Sequence, residues 1–406
     1  MNQRSALAMA CAVLLTAGLA SACSSSSKKA NTGTSNSASA SSSAASSASA
    51  PTSAASSASA PTSAASSASA PTSAASSAGA PADAALLNAL YSKAIAAGQT
   101  SVVIYGPTAG TDTKLYSAFE KSFPKVSVSG VSIVGPPMDA KLSAEASSGK
   151  HIADIAFTAV PNILTYATNG WTVPFVPATA PPASQLTPGA IGPNNAFYSV
   201  AVGLDGIVTH SGGSLPIPKT WTDLENPEYK GKLAMYDPTA IGASADNFAH
   251  LASNPAYAGL MQGLKNNDIA LTPGTSLTQP MDDVAQGTKS VALLMGYQFV
   301  LGAMSQSAPI KFSLLDKDNY IVQLYVSQIN HAPHPLASQL YEDWLFTPQA
   351  QQALAAEGEY SSVIGAPAPS GLPALDKIST QTPLGFEETA TKVNAAIAMA
   401  KQVFGG

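Results

Sequence analysis

From Ser24 to Ala82 the chain is almost entirely serine, alanine, proline and threonine, with no large apolar side chain. Such a stretch cannot bury enough area to offset the conformational entropy of ordering it. A ten-residue unit, PTSAASSASA, starts at Pro51 and again at Pro61, with a near copy at Pro71. Solenoid repeats are longer and carry apolar positions, so this one reads as a linker. As a flexible coil it has a mean end-to-end distance of roughly 40–45 Å, and its stretched reach is about 190–210 Å. Ser/Thr/Pro-rich stalks of this kind are also sites for O-glycans. The folding problem is thereby confined to residues 83–406, about 320 residues, enough for one large core or two medium ones.

The linker also decides where the charge lies. The formal net charge is −5, and residues 1–82 carry Arg4, Lys28 and Lys29 without any acid. Removing those three positive charges leaves −8 on the remainder. Arg4 is the sole arginine of the chain. A domain without arginine lacks the planar fork that grips phosphate, carboxylate and guanine edges, so nucleic acid is excluded as a partner. The two cysteines, Cys11 and Cys23, both precede the linker. Residues 83–406 therefore contain no disulfide, thiolate ligand or cysteine nucleophile.

Residues 1–22 have the form of a signal peptide: Arg4, an apolar run from about Ala6 to Ala20, then the small residues Ala20, Ser21 and Ala22. The run is too short for a permanent membrane helix. With Cys23 directly after it, the segment resembles the lipobox of bacterial lipoproteins, in which the cysteine thiol carries the lipid. Leu19 lies four places before Cys23, where that pattern prefers three. The alternative is a plain secretory signal cleaved after Ala22.

Beyond the linker, residues 84–98 have helical spacing, Ser101–Tyr105 is an apolar β-branched run, and Thr113–Phe123 is an amphipathic helix. Strands are predicted at 126–134 and 153–157, with helices at 138–148 and 161–170. A long β run covers 197–209, and further strands are expected at 233–236, 291–295 and 320–329. The helix at 335–356 breaks near Pro348, and 386–404 forms a last helix. This alternation points to an α/β architecture with largely parallel sheets. Ligands of such sheets bind beyond the carboxyl ends of the strands. The segment Asp237–Ser244 opens a helix with small and hydroxyl residues, and its free N–H groups suit an oxyanion or a carbonyl. A plain N-cap at Thr239 or Ser244 is the structural alternative.

Several segments together carry a family resemblance. Pro218-Lys-Thr-Trp-Thr-Asp-Leu224, Tyr229-Lys-Gly-Lys-Leu-Ala-Met235 and Asp237-Pro238 form the most specific block. Ala153–Phe157 with Gly170–Pro174, and Leu340–Leu354, extend it. The chain resembles the extracellular solute-binding proteins of ABC importers, of the type that binds ferric iron, polyamines or phosphonates. The resemblance implies a two-lobed type II periplasmic-binding-protein fold, each lobe a mostly parallel sheet flanked by helices, joined by crossing strands. Lobe one is expected at about 84–198 and 323–358, lobe two at about 204–318 and 365–406. It further implies a monomer, lipid-anchored on the extracellular face of the cell membrane, that delivers a small solute to an ABC permease without a cofactor.

Carried over position by position, the resemblance expects Thr108, Thr158 and Ala159 from lobe one in the cleft. From lobe two it expects Thr239, Gly242, Ser244, Tyr297 and Gln298, with Asp205 near the hinge. Ferric-binding relatives have a Tyr-Tyr pair where this chain has Tyr297-Gln298, which argues against iron. An amine, a zwitterion, an oxyanion or a neutral solute remain open.

Other chemistry finds little support. HExxH, P-loop and GxSxG patterns are missing from the sequence. Ser147–Lys150 fits SxxK without the companion motifs of penicillin-binding enzymes. His331 and His334 lack a third metal ligand, and Asp282-Asp283 reads as a solvated helix start. Trp221 and Trp344 read as core, whereas Trp171 is free to stack on an amine. A structural or adhesion lipoprotein, and a lipid-anchored hydrolase with an unrecognised site, are the competing classes.

Overall fold

The computed structural model describes residues 80–405. The signal segment, Cys23 and nearly all of the linker lie outside the described residues. Helix α1 (Ala80–Ala96) leads into β1 (Ser101–Gly106), α2 (Thr113–Ser122), β2 (Ser127–Ser132), α3 (Pro136–Ser148), β3 (Ile155–Thr158) and α4 (Asn162–Thr168). β1 pairs in parallel with both β2 and β3, so these units wind as the alternating pattern requires. A short β4 (Thr172–Val173) follows. Proline at the start of α3 and Gly149 at its end, in the left-handed region, explain that helix's limits.

β5 (Tyr198–His210) is the organising strand. Behind it come β6 (Leu233–Tyr236), α5 (Ala243–Leu251), α6 (Leu260–Asn266), β7 (Ala270–Thr272), α7 (Gln279–Ala285), β8 (Val291–Gly296), α8 (Tyr297–Ser305) and β9 (Ile310–Ser313). The chain returns through β10 (Ile321–Ile329), α9 (Pro335–Trp344), α10 (Pro348–Glu357) and β11 (Tyr360–Ser361), and closes with α11 (Phe386–Phe404). The break between α9 and α10 falls at Thr347-Pro348: Pro348 starts α10 and the Thr347 hydroxyl accepts from the Ala350 N–H at 3.3 Å.

The strand order is β2-β1-β3-β10-β5-β8-β6-β7. Both ends are parallel and the middle is antiparallel, because β10 runs against β3 and β5, and β5 runs against β8. The crossing strands β5 and β10 thus break the parallel order expected of each lobe. The first part of β5 contributes Tyr198 and Val200 to one core, which also holds Phe119, Trp344 and Leu354. Its later residue Ile207 joins a second core with Trp221, Phe248 and Ile397. β10 does the same in reverse, with Tyr320 directly before it in the second core and Val326 within it in the first. β11 adds a third connection, pairing with β5 at Val202 and Ala201. The two largest apolar clusters are thus strung on shared strands, an arrangement compatible with hinged motion.

Aromatic packing anchors the first centre. Phe119 meets Tyr341 and Trp344 edge-on, at centroid distances of 5.0 and 5.3 Å. Full burial of such a ring stabilises by about 2–3 kcal/mol.

Candidate functional site

A cavity of about 330 Å³ lies where the carboxyl ends of strands from both halves meet. Pro107 after β1, Val134–Pro136 after β2 and Thr158–Asn162 after β3 supply one wall. The segments after β6, β7 and β8 supply the other: Tyr236–Asp237, Pro273–Thr275 and Gln298–Phe299. The crossing strands form the floor through Gly203, Asp205, Val322 and Leu324. This is the ligand position expected for open α/β sheets, here shared by the parallel strands at the two ends of the sheet.

Three carboxylates face the cavity: Asp205, Asp237 and Asp246. Its lining holds no lysine, arginine or histidine. Asp205 is buried, and burial pushes its carboxyl up to about 8. Among the described residues its carboxyl accepts no hydrogen bond; its backbone N–H donates to the Tyr320 carbonyl at 3.0 Å. Asp246, in α5, is likewise raised by burial, against the opposing pull of His250 and of the Tyr320 hydroxyl that donates to it. Its second oxygen, Oδ1, is buried without a partner among the described residues. The His250 ring lies beside it: Nδ1 is 3.8 Å from Asp246 Oδ2 and 2.8 Å from the Asp246 carbonyl, and the Leu384 N–H meets Nε2 at 3.3 Å. Gln298 adds another buried acceptor, Oε1, without a donor. Asp237 is engaged locally, accepting from the Thr239 N–H at 2.8 Å.

The structure places Thr158, Ala159, Asp205, Gly242 and Gln298 on the cavity wall. The other sequence candidates lie off it. Thr108 is buried one residue behind Pro107 and donates its hydroxyl to Asp112 at 2.9 Å. Thr239 supplies its N–H to Asp237, and Ser244 is fully buried in the first turn of α5. Tyr297 packs against Phe312 at 4.9 Å, and its hydroxyl donates to the Ser370 carbonyl. Of the tryptophans, Trp221 and Trp344 are core residues, and Trp171 stacks on Tyr166 at 5.8 Å away from this cavity. His334 is fixed on Asp154, with Nδ1 3.1 Å from the carboxylate.

Sequence reasoning passed over Asp246, Tyr236 and the loop Pro273–Leu277. The loop had a usable signal: it follows β7, and the carboxyl-end rule would have pointed to it had that three-residue strand been recognised. Asp246 had none, because nothing local distinguishes an aspartate in a helical turn that faces a cavity from one that faces water.

The two largest cores sharing crossing strands, with a cleft at the carboxyl ends of the parallel strands on either side, define a two-lobed solute-binding protein of the type II periplasmic fold. The model of the bacterial extracellular solute-binding protein family matches residues 162–388. The chain belongs to that family, which serves ABC importers. No curated protein matches it in sequence. Among solved structures it is similar to iron-bound HitA from Pseudomonas aeruginosa, with TM-score 0.61 and 17% identity over 75% of this chain and 99% of that one. AfuA from Actinobacillus pleuropneumoniae, with fructose-6-phosphate bound, gives 0.62 and 17% over 76% and 99%. The substrate-binding protein of an ABC transporter from Agrobacterium tumefaciens gives 0.62 and 13% over 75% and 94%. At these identities the likeness concerns the fold. No described helix is long and apolar enough to cross a membrane.

Proposed function

We propose that the chain is a lipid-anchored receptor that captures a small amine-bearing solute in the inter-lobe cleft and hands it to an ABC permease, without making or breaking a bond. One observation carries the ligand class: the cavity wall holds three carboxylates, Asp205, Asp237 and Asp246, and two buried acceptors without donors among the described residues, Asp246 Oδ1 and Gln298 Oε1, but no basic side chain. A buried acceptor left unpaired is costly, so the natural occupant brings N–H groups and positive charge. An ammonium supplies both. The apolar rest of the wall, including Val160, Leu294 and Phe299, suits a short carbon skeleton. A second reading, a zwitterion, is favoured by the start of α5: Gly242 and Ala243 are on the wall, where free N–H groups would meet a carboxylate at the solute's far end.

The lobes proposed are about 84–198 with 323–358, and about 204–318 with 365–406. Closure around the solute would present both to the permease. Membrane attachment rests on Cys23 and the preceding small residues. It is tested by globomycin, which should make an unprocessed precursor accumulate, and by Cys23→Ser, which should release the protein from the membrane. The ligand is tested by calorimetry of the purified chain against diamines, amino acids, phosphate esters and neutral sugars. Heat from the amines supports the reading; heat from sugars or phosphate esters alone, suppressed in Asp205→Asn, would replace it.

A further inference from the structure

The second lobe carries another cavity, at the opposite ends of the strands that build the cleft. Lys232 stands directly before β6 and Ser290 directly before β8, whereas the cleft residues Asp237 and Gln298 follow those strands. At the rise of an extended chain, the five steps from Lys232 to Asp237 span about 16 Å. The cavity measures about 460 Å³, against about 330 Å³ for the cleft.

Its lining is basic. Lys232, Lys289 and Lys311 face it together with His210, and no acidic residue does. This is a departure in a chain of net charge −5. Elsewhere Lys114, Lys141, Lys230, Lys377 and Lys392 each lie within 4 Å of a carboxylate, while the remaining described lysines are scattered singly and share no hollow of this kind. None of the three groove lysines has such a pair among the described residues. Three unpaired ammoniums around one hollow repel one another, and a bound anion relieves that repulsion.

The groups are also positioned. Lys289 Nζ donates to the Gly231 carbonyl at 2.9 Å, which holds one ammonium at the rim with protons to spare. The Lys232 carbonyl accepts the N–H groups of Ser290 and Val291, fixing its backbone against β8. Lys311 stands on β9 opposite Thr209 of β5. The Gly212 N–H donates to His210 Nδ1 at 3.1 Å, so the neutral ring carries its proton on Nε2, as a donor. Leu215 and the half-exposed Ile217 line another part of the groove and offer contact to a carbon skeleton.

We propose that this groove at the far end of the second lobe binds an organic phosphate through Lys232, Lys289 and Lys311. Lysines act as point charges and suit the dense charge of a phosphate, whereas a lone carboxylate is better held by the fork that this arginine-free domain lacks. The proposal does not rest on the ligand assigned to the cleft. The phosphate can belong to a soluble ester or to a lipid headgroup, and the test separates them.

The full-length chain is titrated with glycerol phosphate at low and at raised salt. Binding is expected at low salt and should weaken several-fold as screening increases. The variant Lys232→Gln/Lys311→Gln should lose about tenfold in affinity, since each exposed charge contributes a factor of up to about five. Its melting temperature and its binding of the cleft solute should be unchanged. In a second arm, the Cys23→Ser chain, which has no acyl anchor, is sedimented with phosphatidylglycerol or phosphatidylcholine vesicles. Lysine-dependent binding of the first vesicle without glycerol phosphate binding assigns a lipid headgroup; the reverse assigns a soluble ester. Equal binding by the wild type and the double variant, or no binding of either phosphate source at low salt, overturns the proposal.

Discussion

The Asp205 amide donates to the Tyr320 carbonyl at 3.0 Å, and the Tyr320 hydroxyl donates to Asp246. A single residue directly before β10 thus ties one cleft aspartate through its backbone and the other through its ring. The two acids are held on different elements, β5 and α5, facing one cavity. Asp205→Asn keeps the backbone bond and removes only the charge. Solute affinity should fall by at least about thirtyfold, the low end of what truncating a buried charge partner costs. Calorimetry at pH 8 measures it. An affinity within a few-fold of wild type would mean that Asp205 does not meet the ligand.

The titration of Asp205 gives binding a pH signature. Burial raises its carboxyl to about 8, so at lower pH the empty cleft holds a proton that an ammonium must displace. Affinity should therefore rise by up to about tenfold per pH unit on approaching pH 8 from below, then level off. Proton release measured by calorimetry in buffers of different ionisation enthalpy checks the same point. A pH-independent affinity between 6 and 8 would contradict it.

Stability should run the other way. Asp205 rises to about 8, Asp112 to about 7 and Asp343 to about 6, each chiefly through burial. Glu342 and Glu359 are raised well above their ordinary value for the same reason. A carboxyl with a higher pKa in the folded state binds more protons there than when unfolded. Folding stability then falls as pH climbs from about 4 through the folded pKa values. The ligand-free chain should unfold at higher urea concentration at pH 5 than at pH 8. Asp112→Asn should flatten that slope by removing one contributor, and a midpoint higher at pH 8 would sink the argument.

Parts of this architecture are legible in the sequence because the local signals are strong. β6 is expected at 233–236 and occurs there, since four apolar residues lie between Lys232 and Asp237. α11 is expected at 386–404 and fills that range, because its apolar positions recur at helical spacing behind Gly385. α8 and β9 escape a reading of the sequence for opposite reasons. α8 is apolar nearly throughout, so it shows no face. β9 is four residues long and pairs only through the distant β5. The antiparallel middle of the sheet is equally hidden, because register between β5 and β10 is set by residues more than a hundred positions apart. For the cleft, the family resemblance leads to Thr158 and Ala159, which lie on the cavity wall. Tyr297 and Thr108 show its limit: a neighbour in sequence can turn into the core and leave the wall to the residue beside it.

Two glycines, one under the Pro107 loop and one in α8 as a control, test the packing described. A Cβ on Gly130 of β2 would lie 1.9 Å from the Ala109 carbonyl and 2.7 Å from the Tyr116 hydroxyl, which itself donates to that carbonyl. The loop carrying Pro107 to the cavity is thus seated directly on Gly130. Gly130→Ala must push it away, with a loss of about 1–3 kcal/mol in stability and weaker solute binding. A Cβ on Gly302, inside α8, would meet nothing within 4 Å. Gly302→Ala should instead stabilise by about 0.5–1 kcal/mol, because alanine loses less backbone freedom in a helix. Urea unfolding of both variants gives opposite signs if the packing is as described. A neutral Gly130→Ala would show that the loop is not seated on β2.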